Sequence, residues 1–263
     1  METERIEVVV KSDKGVIKQI NEDNFIIKVG QIDGKDFGLF ALCDGLGGLE
    51  KGEVASKKMV SALEVWWHSR IGIFLGNNVE DKSLLIELRN VLIKVNKELF
   101  DYGKENNIRL GTTASILLIL KGKFYICHIG DSRIYVINES VKKLTEDHTY
   151  YNQLLKEGNI EKSKTVKRSI LTQCVGVGDN IKPNFFVGKL SKKATFVLCS
   201  DGFYNKMKDE DFIEMKNDLY EGSDYGYMGE VCASFIEKIK ARGEKDNISV
   251  IAIKYSRNRG VNV

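Results

Sequence analysis

Proline occurs once and histidine three times in 263 residues, and no two cysteines form a C-x-x-C pair. With 43% apolar and 29% charged residues, a chain this poor in proline is neither disordered nor fibrous. Few histidines and no paired cysteines make a zinc centre a poor fit. The five cysteines (Cys43, Cys127, Cys174, Cys199 and Cys232) are odd in number, and four lie in apolar segments. They are expected to be reduced core thiols of a cytoplasmic protein, not a disulfide framework. No apolar run reaches the ~18 residues of a membrane span. The acidic start, Met1-Glu2-Thr3-Glu4-Arg5, lacks the basic-then-apolar pattern of a secretory leader. Basic and acidic residues nearly cancel, 40 against 37, so the net charge of +3 favours neither nucleic acid nor an anionic membrane.

What the chain does contain is a repeated device. The apolar run Phe37-Gly38-Leu39-Phe40-Ala41-Leu42-Cys43 stops at Asp44, and a glycine-rich turn, Gly45-Leu46-Gly47-Gly48, follows. A carboxylate at the lip of a sheet, beside backbone that only glycine leaves approachable, suits an ion held close to the main chain. The arrangement returns at Ala194 to Cys199 before Ser200-Asp201-Gly202, and at Lys123 to Ile129 before Gly130-Asp131. An inverted version places Asp246-Asn247 ahead of Ile248 to Ile253.

Around these stops the chain reads as strands interrupted by helices. Strands are expected at Ile6–Val10 and Phe25–Val29, with a hairpin turn at 31–35 leading into the run that ends at Asp44. From Glu50 the period changes: Ala55, Met59, Ala62, Leu63 and Trp66 share one helical face, followed by a second stripe from Leu84 to Leu99 that ends at Asn106-Asn107. Strands return at 113–120, 124–129 and 134–137, with a tight turn at Lys121-Gly122. Asp147-His148-Thr149 can cap a short helix through Glu157, which Gly158 stops. Residues 159–184 are polar, mixed in charge and give no element. Strands at 185–187 and 194–199, a helix over 229–240 and a last strand at 248–254 complete the order. It lacks strict strand–helix alternation and predicts an α+β layered sandwich. One domain is expected over 1–255, with 150–184 as a flap-like segment and 256–263 as a loose tail.

Glu22 and Asp23, just before the second strand, add to the acids at strand ends. If such carboxylates converge they persist only with cations, and all-oxygen donors select magnesium or manganese. The competing reading, aspartates that merely cap turns, suits any one of them. Nucleotide loops fit worse. Glu50 stands where a dinucleotide fingerprint needs its third glycine, and Glu53-Val54 replaces the Lys-Ser/Thr of a phosphate loop.

The set resembles the protein phosphatase 2C family of metal-dependent serine/threonine phosphatases, in its bacterial branch. The matching pieces are Asn21-Glu22-Asp23, Asp44-Gly45-Leu46-Gly47-Gly48, Gly52-Glu53-Val54-Ala55-Ser56 and Gly111-Thr112-Thr113-Ala114. Gly130-Asp131-Ser132-Arg133, Leu144 to His148, Ser200-Asp201-Gly202 and Asp246-Asn247 follow in family order. The resemblance implies a four-layer α/β/β/α sandwich, two central antiparallel sheets flanked by helices, with two metals in a cleft at one end. It makes Asp44 the carboxylate bridging both metals, with the Gly45 carbonyl on the second. Asp201 and Asp246 become ligands of the first metal, and Glu22 a ligand of the second, directly or through water. Asp131 would hold a third, weaker metal with Asp201, and Asp23, Asn247 and Ser200 would support the ligands. Two divalent ions roughly 3.5–4 Å apart activate a bridging water for in-line attack on phosphorus, which needs no protein nucleophile.

Two departures bear on the carry-over. Lys18 stands where the family has an arginine that grips the substrate phosphate, keeping the charge but losing the bidentate fork. Leu46 stands where some eukaryotic members have a histidine. The resemblance implies phosphoprotein substrates and an opposing serine/threonine kinase, with manganese or magnesium as cofactor and neither nucleic acid nor membrane as partner. A monomer is expected. A silent phosphoprotein-binding module that kept the fold, or a metal-dependent nuclease, stand as alternatives.

Overall fold

The computed structural model describes residues 2–46, 49–76, 80–221 and 225–259. Gly47 and Gly48 of the glycine-rich turn, and residues 260–263, lie outside them. The chain opens with three strands, β1 (Glu2–Asp13), β2 (Asn24–Ile32) and β3 (Lys35–Cys43), then two long helices, α1 (Gly52–Leu75) and α2 (Asp81–Asn106). Four strands follow: β4 (Ala114–Leu120), β5 (Lys123–Ile129), β6 (Arg133–Ile137) and β7 (Val141–Lys143). Short helices α3 (Tyr150–Lys156) and α4 (Ile160–Ser163) precede β8 (Asn184–Lys189) and β9 (Lys193–Cys199). The remainder is α5 (Asp201–Tyr204), α6 (Asp209–Lys216), a π-helical turn (Asn217–Glu221), α7 (Tyr225–Ala241) and β10 (Ile248–Arg259).

The fold is a mixed α+β one, a curled sheet with helices packed on it. The strands run β7-β6-β9-β10-β1-β3-β4-β5-β8 in one hydrogen-bonded order, with β2 also on β3. Where two antiparallel sheets are expected, the halves touch at one parallel pair, Glu4 with Lys35. The Asp36 carboxylate, accepting the Ile6 N–H at 2.9 Å, draws them together there.

Alternation along each strand sorts side chains into three apolar clusters. Leu39 and Ala41 of β3 and Ile116 and Leu118 of β4 face Met59, Leu63 and Leu88 of the long helices. Val197 and Cys199 of β9 and Val250 and Ala252 of β10 face Met228, Phe235 and Ile239 of α7. The opposite sides of these strands, with Phe40, Leu117, Phe196, Leu198 and Ile251, form a third cluster free of helix residues. Burying each such side chain contributes roughly 1.5–3 kcal/mol. Trp66 and Trp67 are buried in the first cluster, and all five cysteines are buried and free.

One expectation is corrected, and one unassigned segment gains its contacts. Residues 256–259 are not loose: β10 continues to Arg259, pairing Ser256 with Arg5 and Arg259 with Glu2. The long first strand supplies the partners, and Arg257 adds an ion pair to Glu4 at 3.5 Å. The segment that gave no element is ordered by α2. The Asn96 amide donates to the carbonyls of Gly178 (2.8 Å) and Asp179 (3.2 Å) and accepts the Gly176 N–H (2.8 Å).

Candidate functional site

The acids at the strand ends are held by backbone. Asp44 follows β3; its N–H donates to Thr113 Oγ1 at 3.0 Å, and its carbonyl accepts the Thr113 N–H (2.8 Å) and the Thr112 hydroxyl (2.9 Å). The next residue touches two segments at once. A Cβ at Gly45 would stand 2.5 Å from the Gly52 carbonyl oxygen and 2.7 Å from that of Glu22. A Cβ at Gly52 would meet Glu22 Oε1 at 2.6 Å, so this junction of three motifs closes only with glycine. Ser56 completes it by donating to the Glu22 carbonyl at 2.5 Å.

Asn247 ties the other side. Its oxygen accepts the Glu22 N–H at 2.9 Å, while its amide donates to the carbonyls of Lys14 (2.9 Å) and Ile20 (3.0 Å). Ser200 accepts the Ser249 N–H at 3.0 Å and joins β9 to β10. Asp201 opens α5, where Asn205 donates to its Oδ2 at 3.2 Å. Asp131 follows β5, and the Tyr204 hydroxyl donates to its carbonyl at 2.9 Å. A cleft of about 290 Å³ is lined by Asp131, Asp201, Arg133, Asp147, Tyr204 and Arg168, among others.

The electrostatics of these acids is that of like charges gathered in one region. Burial pushes the Asp23 carboxyl up to about 7, with Asp201 and Asp246 adding to the shift and the nearby hydroxyls of Ser249 and Ser200 opposing it. Burial raises Asp44 well above the usual range, and the charges of Asp23, Asp201, Asp131 and Asp246 raise it further. Asp131 is pushed up to about 8 by burial and then by Asp201 and Asp147, and Asp201 to about 6 by burial and then by Asp246. Neither Asp23 oxygen has a hydrogen-bond partner, although both are buried. A buried, unpartnered carboxylate is costly. This orphaned pair of oxygens amid an all-oxygen acidic set fits hard divalent cations.

Among the described residues, no three His, Cys, Asp or Glu side chains stand ready as a metal cage. A cation of the chain sits among these acids: Lys18 Nζ lies 2.8 Å from Asp246 Oδ1 and 3.3 Å from Glu22 Oε2. The predicted acids thus share one electrostatic neighbourhood, but Asp246 and Glu22 are engaged by lysine.

Further residues shape the region. Glu244, 7% exposed, accepts the N–H groups of Lys245 (2.7 Å) and Asp246 (3.1 Å) and so orients the loop carrying Asp246. Nothing in its polar surroundings in sequence marks it. Arg133 is locked by Asp147, at 2.7 Å and 3.1 Å, and lies 3.4 Å over the Tyr204 ring. Both belong to quoted motifs, yet their pairing across 14 residues needs the fold. His128 and His148 stack at 5.3 Å. His128 Nδ1 lies 2.9 Å from Ser115 Oγ, and His148 Nδ1 accepts the Gly130 N–H at 3.1 Å. They brace the Asp131 turn.

Comparison with known proteins gives consistent likenesses. A family model described as protein phosphatase 2C matches residues 17–225. The chain is 30% identical over 254 residues to the serine/threonine phosphatase stp of Listeria welshimeri, covering 93% of this chain and 94% of that protein. Its structure resembles that of the serine/threonine phosphatase Stp1 from Staphylococcus aureus, with a TM-score of 0.78, 28% identity and coverage of 97% and 96%. It also resembles the catalytic domain of the phosphatase PstP in complex with two manganese ions, with a TM-score of 0.74, 25% identity and coverage of 97% and 100%.

Proposed function

The chain belongs to the protein phosphatase 2C family, and from that premise we infer that it hydrolyses phosphoserine and phosphothreonine on proteins in a metal-dependent reaction. The observation that carries the site assignment is Asp23, buried with both oxygens unpartnered among carboxyls raised by burial and by one another. Asp44 is proposed to bridge two ions, with the Gly45 carbonyl and Glu22 serving the second and Asp201 and Asp246 the first. Asp131 is proposed for a third, weaker site; Asp23, Asn247 and Ser200 support the ligands. Manganese, named with the PstP structure, is the first ion to test, and magnesium the second.

When bound, two divalent ions would lower the pKa of water at neutral pH and offset the charge that gathers on the phosphoryl oxygens. The chain's own part is positioning. The Thr112–Thr113 backbone clamps Asp44, Asn247 ties Glu22 to the Asp246 loop, and Glu244 orients that loop. Lys18 supplies a cation for a phosphate oxygen. Cys199, beside Ser200-Asp201, is unsuited as a nucleophile, since burial pushes its thiol up to about 12.

The three apolar clusters support a four-layer α/β/β/α reading, with one domain over 1–255 and 150–184 as a flap beside the cleft. A kinase of serine and threonine is proposed as the opposing enzyme, and the protein as a cytoplasmic monomer. No helix among the described residues is long and apolar enough to cross a membrane.

The test is hydrolysis of a phosphothreonine peptide with manganese and with chelator. Activity is expected only with metal, and Asp44→Asn or Asp201→Asn should each lower kcat at least about a hundredfold while the protein still folds, as its circular dichroism spectrum would show. Variants turning over at near the wild-type rate would overturn the assignment.

A further inference from the structure

Residues 14–23 cross from β1 to β2 against the loop before β10, and backbone contacts fix that crossing. Asn247 binds the carbonyls of Lys14 and Ile20 and the N–H of Glu22. A Cβ at Gly15, where φ is +74°, would collide with the Asp246 carbonyl. The path of the chain, not its charge alone, therefore brings Lys18 to the acids. Its ammonium lies 2.8 Å from Asp246 and 3.3 Å from Glu22, with the side chain 26% exposed. Asp246 Oδ1 also accepts the Asn247 N–H at 2.8 Å, so that oxygen is doubly engaged.

We propose that Lys18 is an internal counter-ion, which competes with divalent metal for Asp246 and Glu22 and turns to the substrate phosphate only once metal has displaced it. The proposal rests on the metal-dependent phosphatase reading above. One ammonium bridges a carboxylate assigned to the first ion and one assigned to the second. An ion entering either position meets a like charge and a carboxylate already spoken for. Lysine suits the exchange better than arginine would, because its ammonium is a point charge on a flexible stem that can swing between partners. The coupling is reciprocal: whatever factor Lys18 takes from metal affinity, bound metal takes from the hold on Lys18. Metal then precedes phosphate, and the centre without metal keeps a cation of its own.

The experiment is calorimetric titration of Mn²⁺ into chelator-stripped protein, wild type against Lys18→Met, Lys18→Arg and Lys14→Met. Lys18→Met should bind Mn²⁺ tighter by roughly tenfold and melt at a lower temperature when stripped, because Asp246 and Glu22 lose their partner. Lys18→Arg should stay near wild type. So should Lys14→Met, which removes the same charge from an exposed neighbour outside the pair. Unchanged or weaker Mn²⁺ binding in Lys18→Met, or equal tightening in Lys14→Met, would overturn the proposal. A readout on the unmutated protein guards against misfolding: acetylation of Lys18, followed by peptide mass spectrometry, should speed up on adding Mn²⁺, and an unchanged rate would also overturn it. None of these measurements depends on turnover. Failure of the phosphatase reading would show separately, as wild type inert on phosphopeptide with Mn²⁺.

Discussion

Single residues here trade stability for chemistry, and His128 shows the trade away from the acids. It is fully enclosed between Ser115, His148 and the carbonyls of Gly130 and Glu146. Burial, and then the neighbouring His148, lower its pKa to about 3. The folded protein therefore keeps His128 neutral down to about pH 3, while the unfolded chain takes up a proton below its ordinary value of about 6.5. The unfolded state binds more protons in that window, so stability falls as the pH drops through it, by up to about 1.4 kcal/mol per pH unit for this group. In chelator, denaturant unfolding between pH 7 and 4 should show a shallower loss for His128→Gln than for wild type. Parallel curves would mean that the ring does not titrate as its burial requires.

At the scale of elements, the informative contact is the one from α2 to the segment after α4. Asn96 lies on the helix face that also buries Leu88, Leu92 and Val95, yet it spends both ends of its amide on the backbone at 176–179. Asn96→Leu would fill similar space and leave the buried Gly176 N–H without its partner, at a cost of roughly 1–3 kcal/mol, and would also remove the bond to the part-buried Gly178 carbonyl. A lower melting temperature is expected, together with faster proteolysis within 159–184 and little change in the cleavage of α1. Uniform acceleration would show instead that this segment opens only with the whole protein. Because Thr112 and Val175 exchange backbone hydrogen bonds at 2.9 Å, loosening the segment should also raise KM for phosphopeptide.

The whole molecule carries the electrostatic load of its centre. A carboxyl whose pKa is raised on folding costs stability once the pH exceeds its unfolded value, and Asp23, Asp44, Asp131 and Asp201 are all raised. Asp44→Asn should therefore melt higher than wild type in chelator at neutral pH, by roughly 2–4 °C for each kcal/mol relieved. Mn²⁺ at about a hundred times its dissociation constant stabilises a single-site protein by about 2.7 kcal/mol. Wild type should thus gain several degrees on adding Mn²⁺, and Asp44→Asn far less. Equal gains in the two proteins would separate metal stabilisation from this residue.

Local pattern determined a good deal by itself. Period-two and period-3.6 spacing marked most strands and both long helices, the stretch Asp147-His148-Thr149 announced the start of α3, and each abrupt stop after an apolar run marked an acid at a strand end. These are short-range signals, set by side-chain direction within one element. Only the tertiary structure decided what pairs across the chain: β10 extended along β1 to Arg259, Asn96 holding 176–179, Glu244 orienting the Asp246 loop, and Asn247 reaching Glu22 from 225 residues away. It also decided that Lys18 rests on Asp246. Such contacts link segments whose own patterns are indifferent to one another, and the burial and charge they create arise only when the chain closes.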